Sequence, residues 1–307
     1  MKVGLLGGTG FVGNYIIDDL IKNNHEPIVL VRDGSISKLR NNVTIINGDL
    51  NDDDALNLLI SKSDAIIYNV GIIRQFPKSG ITFNDLHHNK LCAVVDKCVQ
   101  QKIERFILMS ANGIENNRTQ YQSSKLKGES YLMNSGLNWT IFRPSLIFGD
   151  PIDGNEFCTQ LKKSMIKLPL PAPSFYSGLL PLNAGRFKMS PIHVKNVAEF
   201  FSKSISKNST YNQIYMLGGR EAFTWNELVK IIAESSGKNK WLIPTPALPI
   251  KLIARCFEKF AWFPITCGQI TMLVHGNTCD SDKLFKEFNI KELKFNKHNL
   301  LYLSCNE

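Results

Sequence analysis

Three side chains in the middle of the chain have the chemistry that proton-coupled hydride transfer requires. Tyr121 and Lys125 stand four residues apart in a segment with a helical pattern, so they share one helical face. A nearby ammonium favours the phenolate and lowers the pKa of a tyrosine, which can then give or take the proton of a hydroxyl near neutral pH. Ser110 closes a preceding apolar stretch and is expected to hold the substrate oxygen. Because this Tyr–Lys spacing is common by chance, the surrounding elements decide its meaning.

A glycine-rich turn near the start of the chain predicts where a nucleotide binds. A short apolar strand leads into residues 7–13 (Gly-Gly-Thr-Gly-Phe-Val-Gly), and an amphipathic stretch follows. In such a turn Gly7 suits the tight bend, Gly10 lets a pyrophosphate approach the backbone, and Gly13 lets the helix pack on the strand. The amides and the dipole at the helix N-terminus attract phosphate. The alternative is an ordinary strand-to-helix turn that is rich in glycine.

Strand and helix patterns alternate through the first half of the chain. Strands are predicted at 2–6, 27–31, 43–47, 64–69, 105–110 and 139–143, and helices at 11–23, 52–61, 83–102 and 121–135. This alternation predicts an α/β fold with a doubly wound parallel sheet of the Rossmann type. A Pro-, Gly- and Ser-rich stretch and further helices follow, including a capping box at Thr224 to Glu227. We expect an NAD(P)-binding domain over 1–150 and a smaller substrate-side α/β part over 151–307, interleaved as one compact unit.

The ends of the second, third and fourth strands carry further candidates for cofactor binding. Arg32 suits the 2′-phosphate of NADP(H) and favours that cofactor over NAD(H), although Asp33 could compete and Arg32 could be a plain surface cation. Asp49 could accept a hydrogen bond from the adenine amino group or cap the next helix, a role that Asp52 could also fill. Gly71 would let the backbone lie along the cofactor ribose.

Composition bounds the remaining function classes. The chain has 307 residues and a formal net charge of +9, with its basic residues dispersed. Dispersed charge favours a basic surface that is simply solvated over one that attracts an anionic substrate, membrane or partner. It also predicts no nucleic-acid binding. Seven cysteines (92, 98, 158, 256, 267, 279 and 305) without a Cys-x-x-Cys pair predict buried thiols in the cytoplasm or another reducing compartment, with no metal site. The first strand starts at residue 2 and the apolar runs are short, so we expect neither a secretory signal nor a bilayer span.

The segment 247–266 has two interpretations. Lys251, Arg255 and Lys259 recur every four residues of a helix predicted over 248–261, beside the apolar residues Ile250, Ile253, Phe257 and Phe260. A basic amphipathic helix can lie on a membrane or on a partner protein. In the first interpretation, segment 247–266 makes such a peripheral contact. The favoured interpretation is a helix whose apolar face packs on the core and whose basic edge is solvated.

In their order along the chain, these motifs resemble the extended and atypical branches of the short-chain dehydrogenase/reductase superfamily, which includes NAD-dependent epimerases and dehydratases. The resemblance runs through residues 7–13, Gly48-Asp49-Leu50, Asn69-Val70-Gly71, Tyr121 to Lys125 and Arg143-Pro144-Ser145. Within the superfamily, residues 123–129, 143–149, 217–219 and 276–282 are similar to the nucleotide-binding accessory subunit of respiratory complex I and its bacterial relatives.

The resemblance implies roles for individual residues. Tyr121 would be the acid/base, Lys125 would hold the nicotinamide ribose, Asn89 would brace the active-site helix and Pro144 would lie beside the nicotinamide. The superfamily's serine falls at Ser110 or at residue 111, and only Ser110 has a hydroxyl. The implied cofactor-binding residues are Gly7, Thr9, Gly10, Phe11, Val12, Gly13, Arg32, Asp49, Leu50, Asn69, Val70, Gly71, Lys125 and Pro144.

Two functions follow, and the residues leave both open. The first is an NADP(H)-dependent oxidoreductase or epimerase that acts on a small molecule through Tyr121 and Lys125. The second is a catalytically silent, nucleotide-binding structural or assembly subunit of a respiratory or other membrane-associated complex. A third function is a redox sensor, whose affinity for a partner would change with the oxidation state of the cofactor. No residue of the sequence distinguishes this function from the other two.

Overall fold

The structure is a computed structural model that describes residues 1–35, 38–39, 43–151, 154, 156–260 and 262–304. The strands are β1 (Lys2–Leu6), β2 (Glu26–Val31), β3 (Thr44–Asn47), β4 (Ala65–Tyr68), β5 (Arg105–Met109), β6 (Asn138–Pro144), β7 (Ile147–Phe148), β8 (Ala172–Tyr176), β9 (Lys188–Met189), β10 (Ile192–His193), β11 (Gln213–Leu217), β12 (Phe223–Thr224) and β13 (Leu242–Pro246). The α-helices are α1 (Phe11–Lys22), α2 (Asp53–Ser61), α3 (Lys90–Gln100), α4 (Gln120–Met133), α5 (Phe157–Leu161), α6 (Val194–Ser204), α7 (Trp225–Ser235), α8 (Ala247–Phe257), α9 (Cys267–His275) and α10 (Asp282–Glu287).

The chain divides into two compact units. The first, the nucleotide unit, contains Met1–Pro144, Val194–Leu217 and Leu284–Lys291. The second, the C-terminal unit, contains Ser145–His193, Gly218–Lys283 and Glu292–Glu307. Segments from the second half of the chain therefore belong to both units.

A seven-stranded parallel sheet forms the centre of the nucleotide unit. Its strand order is β11-β6-β5-β4-β1-β2-β3, and every neighbouring pair is parallel. Helix α1 packs with α6, whereas α2, α3 and α4 pack in succession. The order reverses between β1 and β4, so the ends of these strands lie where doubly wound sheets bind ligands. The predicted Rossmann-type fold is confirmed.

Local hydrogen bonds explain where the helices of this unit begin. Asp52 caps α2 by accepting from the Ala55 amide at 3.0 Å, so Asp49 is not needed as a cap. Thr119 caps α4 through the Gln122 amide. The predicted helix over 83–102 is instead a π-helical turn, Asp85–Asn89, which continues into α3.

Small sheets and helices around a separate core build the C-terminal unit. Strand β8 pairs with β13, β7 with β10, and β9 with β12. The predicted capping box of α7 is present, since Thr224 and Glu227 each accept from the other's amide. The side chain of Ser145 donates to the Asn277 carbonyl at 2.6 Å, and the Gly218 amide donates to Ser281 Oγ at 2.8 Å. The motifs at 217–219 and 276–282 thus make structural contacts here.

Three expectations about the second half need correction. Helix α8 ends at Phe257, so Lys259 and Phe260 lie beyond it. Helix α9 was not expected; Thr266 and Gln269 form its capping box. Six cysteines are free thiols, of which only Cys98 and Cys158 are buried as predicted; Cys92, Cys267 and Cys279 are half-buried, Cys256 is exposed, and Cys305 lies outside the described residues. Among the residues described, no helix is both long and apolar enough to cross a bilayer.

Candidate active site

The turn between β1 and α1 has glycines where a side chain would collide with backbone. Gly7 has φ of +87°, and a Cβ there would lie 2.6 Å from the Asn69 carbonyl oxygen. A Cβ on Gly13 would lie 2.2 Å from the Gly7 carbonyl oxygen. At Gly10, which is exposed, the nearest atom to a Cβ is the same oxygen at 3.5 Å. Gly10 is therefore accessible from solvent, with only one atom at contact distance, which fits the approach of a pyrophosphate.

The N-terminus of α1 offers its amides without competition from the protein. Gly10 is the N-cap, no side chain caps the helix, and its first turn has no acidic residue. Thr9, Phe11 and Val12 are half-buried around this end. Free amides and an uncompensated dipole attract an anion.

The end of β4 is tied to this turn. Asn69 donates from its backbone amide to the Leu6 carbonyl at 2.9 Å and from Nδ2 to the Gly7 carbonyl at 3.3 Å. Val70 packs on the core, as Leu50 does at the end of β3. Gly71 is exposed, and a Cβ there would lie 3.4 Å from Lys125 Nζ. The lysine and the β4 end therefore lie side by side.

Polar groups at the ends of β2 and β3 are available to a ligand. Arg32 and Asp33 are both exposed. Asp49 is half-buried and accepts from the Asn51 amide at 2.7 Å, which orients its carboxylate. These positions flank the same edge of the sheet as the glycine-rich turn, because β1, β2 and β3 are parallel neighbours.

Ser110 and Lys125 meet the carboxyl end of β5. The Ser110 amide donates to the Phe142 carbonyl at 2.7 Å, whereas its Oγ is buried without a hydrogen-bond partner. Lys125 is buried in α4, and its Nζ donates to the Met109 carbonyl at 3.0 Å. Burial lowers the pKa of Lys125 to about 8, although the Glu129 carboxylate acts in the opposite direction.

The pKa of the Tyr121 phenol is shifted in the direction opposite to the prediction. Its half-buried ring makes edge contacts with Phe83 and His87, with centroid distances of 5.6 Å and 5.3 Å. Desolvation by the surrounding protein raises the pKa of Tyr121 to about 12. The expected lowering of this pKa by Lys125 is therefore wrong, since the loss of hydration dominates.

The π-helical turn braces α4 through His87 rather than through Asn89. The Asn89 side chain accepts from Asn84 Nδ2 at 3.2 Å, within its own segment. His87 lies 2.9 Å from Ser124 Oγ, and a Cβ on Gly128 would lie 2.2 Å from the His87 carbonyl oxygen. A π-helical turn, which aims His87 at α4, has no sequence signature.

A buried ion pair fixes α4 to β6. Arg143 donates to both carboxylate oxygens of Glu129, from Nε at 3.0 Å and from the guanidinium terminus at 2.5 Å. Glu129 is completely buried, and this pairing raises the pKa of Arg143. Pro144 ends the same strand, is buried, and accepts from the Asn112 amide at 2.9 Å. The residues from Tyr121 to Glu129 thus sit on a helix that is held at both ends.

The sheet order, the glycine-rich turn and the polar ends of β4 and β5 define a dinucleotide-binding α/β protein. Residues 7–166 match a family model described as NAD(P)H-binding. The chain belongs to this NAD(P)H-binding family. In sequence it is similar to complex I subunits, and in fold it is similar to an epimerase.

Sequence relatives extend over most of the chain. The 40 kDa subunit of the mitochondrial NADH-ubiquinone oxidoreductase of Neurospora crassa is 23% identical, in an alignment that covers 94% of this chain and 74% of that protein. A mitochondrial NADH dehydrogenase 1 alpha subcomplex subunit 9 of Dictyostelium discoideum is 24% identical over 85% of this chain and 71% of its own length. A ceramide reductase of Caulobacter vibrioides is 25% identical over 80% of this chain and 73% of its own length.

Solved structures share the fold. A UDP-glucose 4-epimerase of Thermus thermophilus, solved with NAD, has a TM-score of 0.73 at 18% identity and covers 99% of this chain and 98% of its own.

Proposed function

We propose that the chain binds NADP(H) and transfers hydride between it and a carbonyl or hydroxyl substrate. The observation that carries this proposal is the buried Ser110 hydroxyl without a partner at the carboxyl end of β5. A buried polar group without a hydrogen bond is unfavourable by about 1–3 kcal/mol, and a substrate oxygen would satisfy it. Lys125 and the exposed Gly71 lie beside the end of the adjacent strand β4.

The nucleotide unit offers groups for each part of the cofactor. The phosphates would lie over the glycine-rich turn, and Arg32 would meet the 2′-phosphate. Asp49 would accept from the adenine, and Lys125, with two N–H groups beyond its bond to Met109, would hold the nicotinamide ribose. The residues we assign to cofactor binding are Gly7, Thr9, Gly10, Phe11, Val12, Gly13, Arg32, Asp49, Leu50, Asn69, Val70, Gly71, Lys125 and Pro144.

Tyr121 would supply the proton in carbonyl reduction. Burial raises the pKa of its phenol to about 12, so the phenol holds its proton at neutral pH and would give it up to the negative charge that develops on the substrate oxygen. Ser110 would hold that oxygen by a second hydrogen bond. A bound reduced nicotinamide would supply the hydride. The relative that is a ceramide reductase supports a reduction of this type.

Loss of the Arg32 side chain should weaken the binding of NADPH much more than the binding of NADH. We expect Arg32→Ala to weaken NADPH binding by about 10-fold to 100-fold, since a charge-assisted hydrogen bond to phosphate is lost. NADH lacks that phosphate, so its dissociation constant should change by less than about 3-fold. Titration of cofactor fluorescence measures both, with Asp33→Ala as the neighbouring control. An unmodified protein that binds neither nucleotide would contradict the proposed function.

A second candidate function is a structural subunit of a membrane-associated complex, and the exposed surface of segment 247–266 favours it. The buried residues of α8 are the small Ala247 and Ala254, whereas its large apolar side chains Leu248, Leu252, Ile253 and Phe257 are exposed. Trp262 nearby is 70% exposed. The favoured interpretation, an apolar face on the core with a solvated basic edge, holds for Ala247, Ala254 and the partly buried Ile250, which form a core cluster with α9, but not for these exposed side chains. Relatives that are complex I subunits fit this second candidate.

Vesicle binding tests the second candidate. Lys251 and Arg255 flank the apolar side chains of α8, so vesicles with anionic phospholipid should sediment the protein, and high salt should weaken the interaction. We expect Leu252→Glu to reduce the bound fraction at least about 5-fold, because it places a charge in the apolar face. Ile21→Glu, at an exposed apolar position in α1, is the matched control. Equal sedimentation of both variants would exclude this surface as the membrane contact.

A further inference from the structure

The imidazole of His87 joins two parts of the proposed active site by hydrogen bonds. His87 is only 3% exposed and lies in the π-helical turn Asp85–Asn89. Its Nε2 accepts from the Ile72 amide at 3.2 Å, and its Nδ1 lies 2.9 Å from Ser124 Oγ. That hydroxyl donates to the Tyr121 carbonyl oxygen at 2.9 Å. We assign the ring proton to Nδ1 from these partners, so that the ring donates to Ser124.

Ring contacts fix the imidazole in the same place. Phe83 stacks on one side with a centroid distance of 5.6 Å and an interplanar angle of 18°. The edge contact with Tyr121 is nearly perpendicular, at 90°. On the backbone side, the close approach of the His87 carbonyl to Gly128 leaves no room for a side chain at that position of α4. The ring and its backbone therefore cannot move without moving α4.

The imidazole is also close to the groups that would meet the cofactor. A Cβ on Gly71 would lie 3.7 Å from His87 Nε2 and 3.4 Å from Lys125 Nζ. Burial, together with the nearby Lys125 charge, lowers the pKa of His87 to about 2. The ring is therefore neutral, and a neutral ring has the one donor and the one acceptor that Ser124 and Ile72 need.

We propose that His87 is a positioning residue that holds the Gly71–Ile72 backbone and the Tyr121 turn of α4 in register, so that the nicotinamide ribose and the phenol meet correctly. This inference rests on the proposed function. His87 acts through Ile72, Ser124 and Tyr121 rather than on the substrate. A hydrophobic residue of the same shape would fill the space but would leave the Ile72 amide without its acceptor.

Three variants separate this role from packing. His87→Phe keeps an aromatic ring but loses both hydrogen bonds, whereas His87→Gln supplies one acceptor and one donor. His88→Phe is the control, because the His88 ring faces Cys92 and Tyr131 instead. Two measurements are made on each variant: hydrogen exchange of the Ile72 amide in the cofactor-free protein, and the dissociation constant and emission of bound NADPH.

We expect His87→Phe to speed exchange of the Ile72 amide at least about 10-fold and to weaken NADPH binding about 10-fold, with an altered emission of the bound cofactor. His87→Gln should return both values to within about 3-fold of the unmodified protein, and His88→Phe should not change them. Faster exchange with unchanged NADPH binding, or no rescue by Gln, would overturn the role of His87. If the unmodified protein binds no NADPH, the proposed function fails, and unchanged exchange in His87→Phe would then also overturn this inference.

Discussion

Tyr121→Phe should lower turnover by about 10²-fold to 10⁴-fold, the range expected when a general acid is removed. The phenyl ring keeps the edge contacts with Phe83 and His87, so the variant should fold and bind NADPH with a dissociation constant within about 3-fold of the unmodified protein. The change removes only the hydroxyl whose proton would pass to the substrate oxygen.

The measurement is oxidation of NADPH with the carbonyl compound that the unmodified protein reduces fastest in a panel that includes long-chain ketones. Tyr131→Phe is the matched control, because Tyr131 lies on the same helix but donates to Asp96 at 2.6 Å. Full activity in Tyr121→Phe would exclude this phenol as the acid. A panel without any turnover, despite tight NADPH binding, would favour the structural subunit.

Local chain geometry explains why the cofactor end could be predicted. A turn that needs φ of +87° at Gly7 and backbone contact at Gly13 is specified by the glycines themselves. The strands of the sheet were readable for a similar reason, since buried parallel strands are near-continuous apolar runs. Each of these signals lies within a few residues of the feature that it predicts.

The parts that the sequence did not predict depend on contacts between distant segments. The pKa of Tyr121 depends on the burial of its phenol by other parts of the fold. The four-residue spacing between Tyr121 and Lys125 carries no information about that burial. The role of His87 requires the π-helical turn and its contact with Gly128. In α8, a period-four pattern indicated an amphipathic helix, but only the packing shows that Ala247 and Ala254 form the buried face.

Burial has opposite consequences for the two buried charged groups of α4, Lys125 and Glu129. Glu129 is completely buried, but Arg143 compensates it with two hydrogen bonds. Lys125 is buried with one carbonyl partner at hydrogen-bond distance, and its charge is therefore less well solvated than in water. A buried charge that is incompletely solvated is typical of functional sites, where a bound ligand supplies further hydrogen-bond partners. In the proposed site, the ribose hydroxyls would do so.

Lys125→Met should therefore increase stability while it weakens function. The pKa of Lys125 is about 8 in the folded protein and near 10.5 when unfolded, so the unfolded chain binds more protons between these values. The ammonium destabilises the fold below pH 8, and this effect disappears as the pH rises to 10.5. At neutral pH the Met variant should gain up to about 3 kcal/mol in free energy of unfolding, less what the lost bond to Met109 contributed.

Chemical denaturation at pH 7, 9 and 10.5 measures the gain, which should be largest at pH 7 and shrink at each higher pH. In the same variant, NADPH affinity should fall about 10-fold or more, because the ribose loses its donor. Lys127→Met, at an exposed position on the same helix, should change neither quantity. A gain that does not depend on pH would show that Met fills space better rather than removing a buried charge, and unchanged NADPH affinity would remove Lys125 from the cofactor site.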